Sequence, residues 1–189
     1  MEAFLTSTAV VALAEIGDKT MLLAIVLATR FRAPLPIIAG IFFATIANHA
    51  LAALLGATAA EFLAGDWFRY LVAASFIVMG LWTLIPDTFD EDDKPKDRSS
   101  AFLTTLVAFF LVEMGDKTQL ATIALGARYH DVALVAAGTT LGMMIANVPA
   151  VYLGEALVKR VPLGVVRTIA AALFVAIGLW MLAEVAGWI

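Results

Sequence analysis

The chain has no cysteine, only two histidines and a charged share of just 15% over its 189 residues. Each scarcity excludes something. Without cysteine there is no disulfide and no thiolate metal site, and the redox compartment leaves no trace. Lysine and arginine total twelve and form no long basic block, so nucleic acid is not expected as a partner. A soluble domain carries roughly 25% charged residues. Here 62% of the chain is hydrophobic and the mean hydropathy is +0.96, values that belong to an integral membrane protein. The opening stretch "MEAFLTSTAV" has none of the positive charge that begins a secretory signal. The first apolar segment is therefore expected to stay in the mature protein.

Apolar runs are what the chain has in abundance. Six candidate spans cover residues 4–29, 34–60, 69–86, 101–127, 132–155 and 163–185. A hydrocarbon core of about 30 Å takes roughly 20 helical residues, and all six meet or approach that length. The third and sixth are the shortest. Arg69 and Arg167 stand near their starts, where a long side chain can reach the headgroups. Tryptophans 67, 82, 180 and 188 fall at span ends, where aromatic belts form. Between the third and fourth spans, "PDTFDEDDKPKDRSS" holds six acids and three bases and reads as a polar linker. The expected organisation is a unit over 1–86, an acidic linker over 87–100 and a second unit over 101–189.

The two units match. Glu15, Gly17, Asp18, Lys19 and Thr20 recur as Glu113, Gly115, Asp116, Lys117 and Thr118, each displaced by 98 positions. Ala39 and Gly40 recur at 137 and 138, Leu55 and Gly56 at 153 and 154, and the "GLW" at 80 recurs at 178. Asn48 recurs as Asn147 after a one-residue slip. Ordered matches along three segments imply a duplicated three-helix unit. Three is odd, so the copies are expected to cross the membrane in opposite directions, an architecture common among secondary transporters. The basic residues set the orientation. Arg30, Arg32, Lys94, Lys96, Arg98, Lys159, Arg160 and, at the edge, Arg167 flank one side, against Arg69 and Arg128 on the other. Positive charge favours the cytoplasm, so the linker is expected inside and both termini outside.

The charges within the spans are the sharpest signal. A charge near the bilayer centre costs roughly 2.5–3.5 kcal/mol on insertion scales, and this chain places four acids and two lysines there. On a continuous helix, Glu and Asp three positions apart share one face. Gly17 and Gly115 offer a small surface where a helix or an ion can approach the backbone. Thr20 and Thr118 point away from that face and join it only if the helix unwinds at the glycine. Salt bridges within each motif, Glu15 to Lys19 and Glu113 to Lys117, would be the purely structural alternative. They would leave Asp18 and Asp116 without a countercharge. With all six groups ionised the motifs sum to −4 + 2 = −2, which suits one divalent cation or two protons.

Oxygen ligands without cysteine point to hard cations such as Mg²⁺, Ca²⁺ or Mn²⁺. Asn48, Asn147 and Gln119 can add amide oxygens, although interhelical hydrogen bonds explain the asparagines equally well. Gln119 stands where the first motif has Met21, which makes the site asymmetric. His49, opposite Asn147 or Val148 in the second unit, lies outside the symmetric set and reads as a packed or pore-edge residue. An intramembrane hydrolase would need an asymmetric acid and base, whereas these motifs are near copies. An exporter of amino acids or other small organic solutes is the nearest rival reading.

Two copies of Glu-x-Gly-Asp-Lys-Thr, one in each inverted unit with an acidic linker between, resemble the Gdt-type family of divalent cation/proton antiporters found in Golgi membranes, chloroplasts and bacteria. The resemblance covers the whole chain, and the doubled motif is highly specific. It implies export of manganese or calcium from the cytosol in exchange for protons, with no tightly bound cofactor. By the same resemblance Glu15, Asp18, Glu113 and Asp116 are the ion-binding acids, and Gly17, Lys19, Thr20, Gly115, Lys117 and Thr118 complete the motifs. The absence of the targeting extension of eukaryotic members favours the plasma membrane of a bacterium. The sequence does not indicate an oligomeric state.

Overall fold

The computed structural model describes residues 1–63, 65–86, 100–154, 156 and 161–189. These residues form eight helices and no strand. In chain order they are α1 (Glu2–Glu15), α2 (Lys19–Phe31), α3 (Pro34–Phe62), α4 (Asp66–Thr83), α5 (Ala101–Glu113), α6 (Lys117–Tyr129), α7 (Val132–Leu153) and α8 (Leu163–Val185). Three of them, α3, α7 and α8, are by themselves long and apolar enough to cross a membrane. The linker over 87–99, with Lys94, Lys96 and Arg98, lies outside the described residues, as do Lys159 and Arg160.

The segments expected as continuous helices over 4–29 and 101–127 are each two helices. Both break at the same place in the motif. After Glu15 the chain turns extended at Ile16 (φ −66°, ψ 109°) and enters α2 through Asp18 (φ −82°, ψ 168°). After Glu113 it does the same at Met114 (φ −67°, ψ 116°) and Asp116 (φ −81°, ψ 166°). The residue between is glycine both times, at φ +89° for Gly17 and +83° for Gly115. A side chain with a Cβ is disfavoured there, so glycine ends one helix and the adjacent aspartate starts the next. The face shared by Glu and Asp on an ideal helix therefore does not exist: two residues of extended or left-handed backbone separate them.

Glycine also sets how closely the helices meet. A methyl group at Gly40 of α3 would lie 2.9 Å from the carbonyl oxygen of Phe102 in α5, and one at Gly138 of α7 would lie 2.5 Å from that of Phe4 in α1. A methyl at Gly80 of α4 would meet the Ala171 carbonyl of α8 at 2.9 Å, and one at Gly178 would meet the Ala73 carbonyl at 2.8 Å. Small residues permit such backbone contact between helices in lipid. Each contact has its partner 98 positions away, with the two units exchanged. Gly80 beside Ala171 and Gly178 beside Ala73 also make α4 and α8 antiparallel.

The exchange symmetry fails in two respects: α3 packs along α6 more extensively than α7 does along α2, and the last helix of each unit is seated differently. α8 packs along α1 and α4 along α6, but the exchanged pairs, α4 with α5 and α8 with α2, make no comparable contact among the described residues. The apolar core divides in the same way. One cluster joins Val72 and Phe76 of α4 and Phe174 of α8 with Ala121 and Leu125 of α6 and Val10 of α1. The other joins Leu23 and Leu27 of α2, Ile37 and Ile41 of α3, Phe109 of α5 and Met143 of α7, with no buried residue from α4 or α8.

Candidate cation site

The two helix breaks meet. A carboxylate oxygen from each of Glu15, Glu113 and Asp116 lies within 4.8 Å of the other two, and all three side chains are buried. Metal–ligand bonds of about 2.0–2.6 Å place two ligands of one ion about 3–5 Å apart, so the spacing fits a single cation. Glu15 Oε1, Glu113 Oε1 and Asp116 Oδ2 have no hydrogen-bond partner. Buried carboxylate oxygens without a donor are costly, and a bound cation or a proton would relieve that cost.

The opposite edges of the glutamates are held. Thr20 Oγ1 donates to Glu15 Oε2, and Thr118 Oγ1 donates to Glu113 Oε2 at 3.1 Å. The threonines thus join the acids, as the unwound glycine allows. Glu15 and Glu113 close α1 and α5, where unpaired carbonyls and the helix dipole add negative potential. Two helix C-termini and three carboxylates in one buried spot disfavour an anion and favour a cation.

Asp18 stands apart from these three. Lys117 Nζ, from the second motif, lies 3.6 Å from Asp18 Oδ1, with both side chains more than 90% buried. The lysine thus pairs across the units with the other motif's aspartate. The same ammonium lies 5.9 Å from the ring centre of Trp82, a residue expected only as an interfacial anchor. Asp116, in contrast, caps α6 by accepting from the Lys117 amide at 2.7 Å. Lys19 is half-buried.

The amides follow the second motif. Gln119 Nε2 donates to Asn48 Oδ1 at 2.7 Å, and Gln119 Oε1 accepts from the Gly115 amide at 2.6 Å. Asn48 Nδ2 reaches the Phe110 carbonyl at 3.3 Å. This ties α3 to the second break, and Met21 can make no such link at the first. Asn147 turns its amide onto Met143 of its own helix, donating to the carbonyl at 3.1 Å, while its Oδ1 is buried without a partner. Gly17 is covered by Leu163, whose Cδ2 would lie 2.9 Å from a methyl there, whereas Gly115 has nothing within 4 Å of the equivalent point. His49 is fully buried, with Nε2 3.6 Å from Glu113 Oε2. Its position beside Asn48 in an apolar helix was the one signal that it belongs near the site.

Helices broken in mid-segment, with buried acids gathered at the breaks, define a membrane transporter of cations rather than an enzyme. The description "Divalent cation/proton antiporter GDT1" matches residues 3–91 and 101–188, and the chain belongs to that family. It is 48% identical over 180 residues to a Vibrio cholerae protein whose name proposes manganese export, covering 95% of this chain and 90% of that one. It is 29% identical to GDT1-like protein 5 of Arabidopsis thaliana, over 95% of this chain and 94% of that one. A GDT1-like protein of Synechocystis is 27% identical over 100% of this chain and 98% of its own length. No solved structure matches the chain.

Proposed function

We propose that this protein exports Mn²⁺ from the cytosol in exchange for protons, and that Glu15, Glu113 and Asp116 hold the transported ion. The observation that carries the reading is the meeting of the two motifs at paired helix breaks, with three carboxylates inside 4.8 Å. Asn48, Gln119 and Asn147 stand next in line as amide ligands, and Asp18 serves through its pairing with Lys117. Mn²⁺ is chosen over Ca²⁺ because oxygen donors suit both while the name of the Vibrio cholerae relative proposes manganese.

On this reading the chain crosses the membrane six times, as two inverted three-helix units over 1–86 and 101–189. α1 with α2 forms one span and α5 with α6 another. The reciprocal glycine contacts and the antiparallel α4 and α8 support the inversion. With both termini outside, α1 and α6 fill the outer half of the membrane, and α2 and α5 the inner half. The α4–α8 pair then packs mainly on the outer half, where Arg128 also bonds Glu184 at 2.6 Å and Tyr129 donates to Glu2 at 3.3 Å. The arrangement is closed outside and looser inside. Exchanging the roles of the two units would move α4 and α8 onto α5 and α2 and open the outer side, which is alternating access by inverted repeats.

The charge count sets the coupling. Four acids and two lysines give −2, and one Mn²⁺ or two protons on the carboxylates bring the sum to zero. Uncompensated charge resists transfer through hydrocarbon, so only the two loaded forms interchange. The exchange is then one Mn²⁺ for two H⁺ and moves no net charge. Growth of a bacterial strain deleted for this gene, in excess Mn²⁺ and in excess Ca²⁺, tests the substrate. Sensitivity to manganese relieved by the native chain but not by Glu113→Gln supports export, and equal manganese tolerance with and without the gene refutes it.

A further inference from the structure

His49 is a buried imidazole with nothing to bond. It sits in α3 with no exposure to solvent, and neither Nδ1 nor Nε2 has a hydrogen-bond partner. A neutral imidazole carries one donor and one acceptor, and leaving both unmet in an apolar interior costs free energy. The nearest carboxylate is Glu113, with Nε2 3.6 Å from Oε2. That oxygen already accepts from Thr118 at 3.1 Å.

Two ligands at right angles around one cation, at bonds of about 2.1–2.5 Å, stand about 3.0–3.5 Å apart. Oε1 is the Glu113 oxygen left without a partner, so the 3.6 Å between His49 Nε2 and Glu113 Oε2 is close to the spacing of neighbouring ligands when the carboxylate binds through both of its oxygens. We propose that His49 gives a nitrogen ligand to the cation held by Glu113, and so sets the preference of the site for a transition metal over Ca²⁺. The inference rests on the reading of Glu15, Glu113 and Asp116 as the cation site. Ca²⁺ takes oxygen ligands almost without exception, whereas imidazole is a common ligand of divalent transition metals, Mn²⁺ being the weakest binder of the first-row series. One nitrogen among carboxylates therefore adds affinity for Mn²⁺ and little for Ca²⁺. The duplication provides no second copy, because Asn147 and Val148 occupy the matching turn of α7. His49 is thus one reason for the second break, rather than the first, to dominate the site.

The test reads the ligand itself rather than transport. Purified protein in lipid nanodiscs takes up Mn²⁺, and pulsed electron paramagnetic resonance records nitrogen coupled to the metal, with ¹⁵N-histidine labelling to assign it. The chain has only two histidines, so His130→Gln leaves His49 as the sole imidazole and avoids altering the core. A histidine coupling that persists in His130→Gln is the expected result. In His49→Gln the coupling should vanish, and Mn²⁺ affinity should fall about ten- to a hundredfold while Ca²⁺ affinity changes less than about threefold. Bound Mn²⁺ without histidine coupling, or coupling lost in His130→Gln, would overturn the role of His49 and leave the carboxylate site standing. Failure of the native protein to bind Mn²⁺ at all would overturn both.

Discussion

Lys117 and Asp18 form an ion pair that neither motif could make alone, and removing one partner should cost far more than removing both. At 3.6 Å, two unit charges attract by about 4–5 kcal/mol at an effective dielectric constant near 20. Burial of both groups offsets most of that gain, so the intact pair contributes little net stability. Loss of one partner leaves the other buried with one countercharge fewer, a penalty of up to about 3–5 kcal/mol. Lys117→Met and Asp18→Asn should each lower the unfolding free energy by at least about 1 kcal/mol and at most that amount, measured by denaturant titration of the purified protein in mixed micelles. The double variant should recover at least about 1.5 kcal/mol relative to the sum of the singles, within the range found for contacting residues. Singles costing less than about 0.5 kcal/mol, or a double variant that is simply additive, would show that the pair does not join the two units.

Gly115→Ala should destabilise by about 1–2 kcal/mol through its φ of +83°. Gly17→Ala should cost more because Leu163 must also yield, and Gly164→Ala in α8, with nothing within 4 Å, should cost nothing. Thermal unfolding of the three variants checks the order. Gln119→Met, which copies the first motif, strips the Gly115 amide of its acceptor and Asn48 Oδ1 of its donor. It should cost about 1–2 kcal/mol and weaken Mn²⁺ binding measured by calorimetry. A single cysteine at Ser99 should resist an impermeant thiol reagent in intact cells, because the linker is assigned to the cytoplasm; labelling from outside would reverse the topology.

Much of this site was legible in the residues. The offset of 98 marks the doubled motif, and of its residues Glu15, Glu113 and Asp116 gather where the two breaks meet, with Thr20 and Thr118 bonded to the glutamates and Asp18 paired with Lys117. The breaks themselves were readable too. Glycine followed by aspartate is a helix stop joined to a helix start, yet inside a long apolar run an isolated glycine is usually tolerated in an unbroken helix. Hydropathy carries no information on φ, so the expected shared face of Glu and Asp was wrong. The partner of Lys117 was hidden for another reason. Spacing along one helix suggests Glu113, four residues away, but the break removes that geometry and the pairing runs between units. The divergence of Asn48 from Asn147 depends on Gln119, one residue beyond the repeat, and the asymmetric seating of α4 and α8 cannot appear in a symmetric sequence pattern.

On the proposed exchange, the carboxylates at the paired breaks carry either one divalent cation or two protons. Proteoliposomes reporting Mn²⁺ and internal pH together test it most directly. An imposed pH gradient should drive Mn²⁺ against two protons moving the other way, a membrane potential at fixed pH should drive almost none, and Glu113→Gln should abolish both fluxes with the protein still folded in the membrane. Mn²⁺ flux driven as strongly by potential as by pH, or undiminished in Glu113→Gln, would refute electroneutral exchange at these carboxylates.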